Sequence, residues 1–380
     1  MAELSEEEMR AIAQQVVARS MKIGRKPDGG YESVRIVYNR TDESCERFAL
    51  LVEEVCWRQG ALTLLQPYSS VRERLRYTLM PEDSLGELKP LSKAVAENLD
   101  VSIFIGEDDD PAWASGLADK LRAAAPVRTK LREILDRRRV RWLYFGWPVP
   151  GAAKGYGLPV EEFRAIFFDA IRESFAEETL RLCRFYAKAL EGGQEVRIVS
   201  DDTDLRFKIT GRPVLVDDGI ISEEDVARGD VGLNIPSGEV FLAPLEDSAW
   251  GHITFEEVVP HGFGKVRGLE LRFEGGRVVD YRAEEGVENF RRFLEANTGD
   301  KDRIAELGIG CNRGARYTGG SIIIDEKIQG TIHIAIGSNT GAYHGKNVAS
   351  SHLDMIKDMR EGRLYVDEHL VMEEGRPVED

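Results

Sequence analysis

The sequence predicts an α/β protein of two parts, an N-terminal doubly wound α/β domain over residues 1–190 followed by an α+β mixed-sheet domain over residues 191–380. Three observations predict it. At 380 residues the chain exceeds the roughly 250–300 residues at which a single hydrophobic core stops growing, so two cores are expected. The first half alternates short apolar runs with stretches of helical spacing, the rhythm of strand, crossover helix and parallel strand. The second half changes to short strands, hairpins and many glycines.

Along the chain, "SVRIVYN" (33–39) reads as a buried strand and "DESCERFALLVEEVCWRQG" (42–60) as a helix ending at Gly60. "ALTLLQP" (61–67) precedes a helical stretch holding Arg74 and Tyr77; "VSIFIG" (101–106) and "RWLYFGWP" (141–148) continue the sheet, with a helix through "PAWASGLADKLRAAA" between them. "RTKLREILDRRRVRW" (128–142) is the most basic run, but acids interrupt it and its apolar positions have helical spacing, so it reads as a solvated helix face. One long helix is expected over 160–193, closed by Gly192 and Gly193, and its end sets the domain boundary. Beyond it, "EVRIVS" and "DLRFKI" suggest a strand pair, and "LELRFEGGRVVDYRA" (269–283) a hairpin turned by Gly-Gly. "GVENFRRFLEAN" (286–297) is a helix, and "SIIID" and "TIHIAIG" are strands between glycine-rich turns.

Composition excludes several classes of function. A formal charge of -16 with only short basic runs argues against a nucleic-acid partner, because neutralising phosphates needs a dense Lys/Arg surface. No apolar run approaches the roughly 18 residues of a membrane span, and the acidic, amphipathic N-terminus does not read as a signal peptide. Four scattered cysteines, Cys45, Cys56, Cys183 and Cys311, form neither a zinc ribbon nor a disulfide framework, so a soluble cytoplasmic protein is expected. A P-loop is absent, and "YNRTDESCE" offers no glycine for a dinucleotide pyrophosphate, which leaves the first domain a scaffold. H-E-x-x-H and G-x-S-x-G are missing too, and Cys311 reads as a buried thiol rather than a nucleophile paired with His333.

What the chain does carry is a set of potential metal ligands in its second half. His352 and Asp354 lie two apart, so in a strand both leave the same face, a geometry that lets an imidazole and a carboxylate grip one cation. His333 interrupts an apolar strand, with Ile332 and Ile334 pointing to the opposite face, and a buried imidazole needs a partner. Asp325 and Glu326 stand at a strand end, Glu306 precedes a glycine turn, and Glu239 follows Pro-Ser-Gly inside an apolar stretch. Three glutamates, an aspartate and two histidines suit two adjacent divalent cations better than one closed structural zinc.

The ordered segments "NIPSGEVFLAP" (234–244), "IAELGIGCNRGARYTG" (304–319), "IDEKIQGTIHIAIG" (324–337), Gly345 to Asn347, "SSHLDM" (350–355) and "LYVDEHLVMEEGR" (364–376) resemble the cocatalytic metallo-aminopeptidases typified by aminopeptidase T and aminopeptidase S. "RYTLMPEDSL" (76–85) and "SDDTDLRFKITGR" (200–212) extend the resemblance upstream. It implies a homodimer acting on peptides with two divalent ions, zinc, cobalt or manganese. Glu239, His352 and Asp354 would hold one ion, Glu326 and His333 the other, and Glu306 would bridge them. Two departures stand out. The family's tyrosine seven residues after the histidine matching His333 is here Thr340, leaving Tyr343, Thr340 or His344 for its role, with Tyr343 taken as catalytic beside Glu306; and the Glu326 to His333 spacing is wider than usual. Some relatives are ring-cleaving dioxygenases of the 2,5-dihydroxypyridine type, with one ferrous ion on two histidines and an aspartate. These carry a histidine near the position of Glu306 and lack the glutamate matching Glu239, so both glutamates favour the hydrolase, although "PSGEVFLAPLEDSAWG" resembles the dioxygenase stretch.

Overall fold

The computed structural model describes residues 3–26, 28–260 and 262–379. It divides into two compact units, Met1–Phe168 with Gly219–Ile235, and Asp169–Asp218 with Pro236–Asp380.

The first unit is built on a five-stranded, wholly parallel sheet. Its strands are β1 (Ser33–Asn39), β2 (Leu62–Tyr68), β3 (Val101–Ile105), β4 (Arg141–Phe145) and, after an excursion through the second unit that carries β5 (Glu195–Ser200), β6 (Thr203–Lys208) and β7 (Leu215–Asp217), β8 (Gly232–Ile235). The order β2-β1-β3-β4-β8 is doubly wound, which explains why β1 and β3 read as nearly continuous apolar runs. The helix Glu43–Arg58 starts where the Asp42 carboxylate accepts from the Cys45 N–H, and it buries Phe48, Ala49 and Val52. The helix Ala118–Arg137 runs through Pro126 and takes in most of the basic stretch.

The single helix expected over 160–193 is two, Val160–Glu173 and Glu177–Leu190. The break has a tertiary cause. The Ser237 N–H donates to Ser174 Oγ at 2.9 Å, and the Ser237 hydroxyl donates to the Ser174 carbonyl at 3.2 Å, so that carbonyl is engaged from outside the helix.

The second unit is an antiparallel sandwich. Its strands continue as β9 (Glu239–Leu242), β10 (Trp250–Val258), β11 (Val266–Glu274), β12 (Arg277–Arg282), β13 (Ile304–Gly310), β14 (Thr331–Gly337), β15 (His352–Asp358), β16 (Arg363–Val366), β17 (His369–Glu373) and β18 (Arg376–Pro377). One sheet has the order β12-β11-β10-β6-β5-β16-β17-β18, the other β15-β14-β13-β9-β7. The expected β5–β6 pair and Gly-Gly hairpin are both present, the latter as β11 and β12. Alternate residues of the two sheets, among them Ile198, Phe255, Leu271, Leu307, Ile334 and Met355, share one core with Leu182 and Tyr186 of the helix Glu177–Leu190.

"SIIID" is not a strand. Ile322–Asp325 forms one helical turn, because the Asp325 carboxylate accepts from the Thr318 N–H at 2.7 Å, the Thr318 hydroxyl at 2.9 Å and the Gly320 N–H at 3.0 Å, curling the chain back on itself. Among the described residues no helix is long and apolar enough to cross a membrane.

Candidate metal centre

The sheet β15-β14-β13-β9-β7 turns one face to the core, and period-two alternation decides what the other face carries. Val240, Leu242, Leu307, Ile309, Ile332, Ile334, Leu353 and Met355 enter the core. Their neighbours Glu239, Glu306, His333, His352 and Asp354 therefore share the opposite face. Register brings them together across strands: Asp217 opposes Glu239, Glu239 opposes Gly310, Gly308 opposes His333, and Ala335 stands between Glu306 and Asp354. Small residues at 308, 310, 335 and 337 on this face leave room between the ionisable side chains.

The glycine after Glu306 is consequently not part of a turn. Glu306 lies within β13, where the register shifts between Ile304 and Glu306, and the glycines admit close neighbours. A Cβ on Gly308 would stand 2.0 Å from Cε1 of His333, and one on Gly310 would stand 2.1 Å from the Ile328 carbonyl oxygen.

Glu306 is buried between two imidazoles. Its Oε1 is 3.3 Å from His333 Nε2 and its Oε2 3.1 Å from His352 Nε2, so each carboxylate oxygen faces a different ring. His352 Nε2 is also 3.1 Å from Asp354 Oδ1, while Nδ1 lies 2.7 Å from the Ser338 carbonyl. A carbonyl only accepts, so Nδ1 donates its proton there and Nε2 is the nitrogen that faces the two carboxylates. Two sets have ligand atoms within 4.8 Å of one another, Glu239 with Glu326 and His333, and Glu306 with His333 and Asp354. Glu239 thus sits beside Glu326 and His333, its Oε2 3.9 Å from His333 Nε2, rather than with His352 and Asp354 as the resemblance implied.

Two participants were not anticipated from the sequence, Lys327 and Asp217. The Lys327 ammonium is completely buried and lies 2.5 Å from Glu239 Oε1, 2.8 Å from Glu326 Oε1 and 3.2 Å from Asp217 Oδ2. A lysine directly after Glu326 in the isoleucine-rich "IIIDEKIQGTIHI" was the available signal, since a buried ammonium requires carboxylate partners.

Burial dominates the electrostatics. It raises the Glu239 and Glu326 carboxyls above the usual range and pushes Asp217 up to about 7. It raises Glu306 as well, but hydrogen bonds to His333 and His352 outweigh it and hold that carboxyl far below the ordinary value. Burial opposes charge on His333, yet Glu306 brings it to about 9; Asp354 and Glu306 likewise raise His352. Burial lowers and the three carboxylates raise Lys327, with the net well upward.

The donor set fits a divalent cation. Glu239 Oε2 is buried with no hydrogen-bond partner, on a carboxylate whose other oxygen is taken by Lys327. An acceptor left so exposed to its own desolvation cost is what an absent cation would satisfy.

Tyr343 closes one side. It ends the short turn Gly341–Tyr343, with its ring 5.5 Å from that of Phe241 and 6.2 Å from that of His352. Burial, then the charges of Glu306, Asp354 and Glu239, keep its hydroxyl protonated. Thr340 precedes this turn, and His344 follows it exposed, its carbonyl accepting from Arg212. Cys311 is buried and free, with its thiol shifted upward by burial.

A family model described as thermophilic metalloprotease (M29) matches residues 6–376. Aminopeptidase T of Thermus thermophilus is 26% identical over 289 residues, 69% of this chain and 69% of that protein. Aminopeptidase AmpS of Bacillus subtilis is 28% identical over 100 residues, covering 26% of this chain and 24% of its own. Among solved structures, wild-type AmpT from Thermus thermophilus superposes with a TM-score of 0.76 at 21% identity, covering 97% of this chain and 98% of that one. A 2,5-dihydroxypyridine dioxygenase from Pseudomonas putida KT2440 superposes at 0.62 and 15% identity, covering 99% and 98%. At such identities these two structures show a shared fold, an α/β unit joined to an antiparallel α+β unit.

Proposed function

The chain belongs to the thermophilic metalloprotease (M29) family, and on that premise we propose that it is a metal-dependent aminopeptidase releasing N-terminal amino acids from peptides with a pair of divalent ions, zinc, cobalt or manganese. The observation that carries this reading is the placement of Glu306, which offers one oxygen toward His333 and the other toward His352. A carboxylate so placed is suited to bridging two cations. His352 and Asp354 would complete the ligands of one, and His333, Glu326 and the free oxygen of Glu239 those of the other.

Bound there, a pair of divalent ions supplies a water activated near neutral pH and a Lewis acid for the scissile carbonyl. The chain's own residues do the rest. Glu306 stays ionised between the two imidazoles; the Ser338 carbonyl fixes the His352 ring; the Tyr343 hydroxyl, kept protonated, donates a hydrogen bond to the oxygen that gains charge at the tetrahedral stage.

Four free, buried thiols agree with a reducing cytoplasm as the place of action, and the family resemblance supports a homodimer. Hydrolysis of aminoacyl-nitroanilides tests the activity. Purified protein should release nitroaniline only with divalent metal, and Glu306→Ala should abolish turnover. Near-normal rates in that variant would refute the bridging role, and a single iron with oxygen consumption would move the chain to the dioxygenase reading.

A further inference from the structure

Lys327 occupies an unusual position for a site that is to receive cations. Its ammonium donates to Glu239 and Glu326, forms an ion pair with Asp217, and has no exposed surface. Two of those carboxylates belong to the set that also contains His333. The other candidate ligands are differently placed: the ion pairs of Glu306 and Asp354 among the described residues are with imidazoles alone.

We propose that Lys327 is a built-in competitor for one of the two ions, so that the ion at Glu306, His352 and Asp354 binds tightly and the ion at Glu239, Glu326 and His333 binds weakly and exchanges. The reasoning is geometric and Coulombic. Glu239 and Glu326 each give an oxygen to the ammonium, which leaves neither free to chelate with both oxygens. An ion entering beside them also meets a fixed like charge in a buried setting, where repulsion is poorly screened. The orphaned Glu239 Oε2 keeps the second position competent, so the lysine weakens it without closing it.

This proposal rests on the two-ion reading above and deepens it. Calorimetric titration of chelator-stripped protein with zinc or manganese tests it with no substrate present. The parent chain should show two steps, the second weaker by about 10- to 100-fold, the range over which groups adjoining metal ligands tune affinity. Lys327→Gln, which keeps a donor without the charge, should narrow that gap by about tenfold. Lys327→Met should narrow it likewise, and Lys327→Arg should preserve it; circular dichroism and thermal melting establish which variants are folded. An unchanged or widened gap in the folded neutral variants overturns the role of Lys327 while leaving two ions in place. One step in the parent and in every neutral variant overturns the two-ion reading itself.

Discussion

The His333 ring stands where a side chain on Gly308 would have to be, 2.0 Å from the position of a Cβ, so the glycine is there to admit the imidazole. Gly308→Ala should cost about 1–3 kcal/mol through overpacking and should displace the ring that faces Glu306. Urea unfolding and metal titration read the two effects separately; a variant that binds metal as the parent does would show that the ring has room to move. The same side chains show what was legible in sequence. Glu239, Glu306, Glu326, His333, His352 and Asp354 stood out because an ionisable group in an apolar, alternating segment has to be explained. Asp217 did not, because its strand has only three residues and gives no alternation to read. The approach of Glu239 to His333 follows from a register across three strands that no single strand encodes.

The turn between β14 and β15 positions Tyr343, and two asparagines hold it. Asn347 donates from Nδ2 to the Ile304 carbonyl at 2.8 Å and from its backbone N–H to Asn339 Oδ1 at 2.8 Å. Glu246, paired with Arg212 at 2.6 Å, accepts from the Lys346 N–H at 2.7 Å. Asn347→Ala leaves a buried carbonyl without its partner and should destabilise the protein by about 1–3 kcal/mol. If the turn serves mainly to present Tyr343, the variant should also lose turnover while binding metal normally; unchanged turnover would separate the turn from the chemistry. This segment departs most from the family spacing, and its order depends on Ile304 and Glu246, both remote in sequence, which is why the sequence left Thr340, Tyr343 and His344 as alternatives. Elements with strong local signals, such as the β11–β12 hairpin, needed no such help. The interrupted helix at Ser174 did, because Ser237 ends it from 63 residues away.

Asp217, Glu239, Glu306, Glu326 and Asp354 gather around one buried lysine and two imidazoles, and such a cluster makes the stability of the second unit depend on cations. A ligand that binds only the folded chain adds about 2.7 kcal/mol at a hundred times its dissociation constant. Removing metal with a chelator should therefore lower the melting temperature, and adding it back should restore it. The thiols report where the loss occurs. Cys45 and Cys56 belong to the first unit and Cys183 and Cys311 to the second, and all four are buried and free. Burial holds Cys45 and Cys311 well above the usual thiol range and pushes Cys56 up to about 12, so the folded protein should react slowly with a thiol reagent at neutral pH. Cys311 directly follows the strand that carries Glu306, and its N–H donates to the Gly238 carbonyl beside Glu239. In chelated protein warmed toward its transition, Cys183 and Cys311 should become reactive before Cys45 and Cys56, a sequence that peptide mapping of the labelled thiols resolves. Simultaneous labelling of all four, or no change in melting on chelation, would mean that the carboxylate cluster is compensated without metal, with Lys327 and the protonated histidines sufficient to neutralise it.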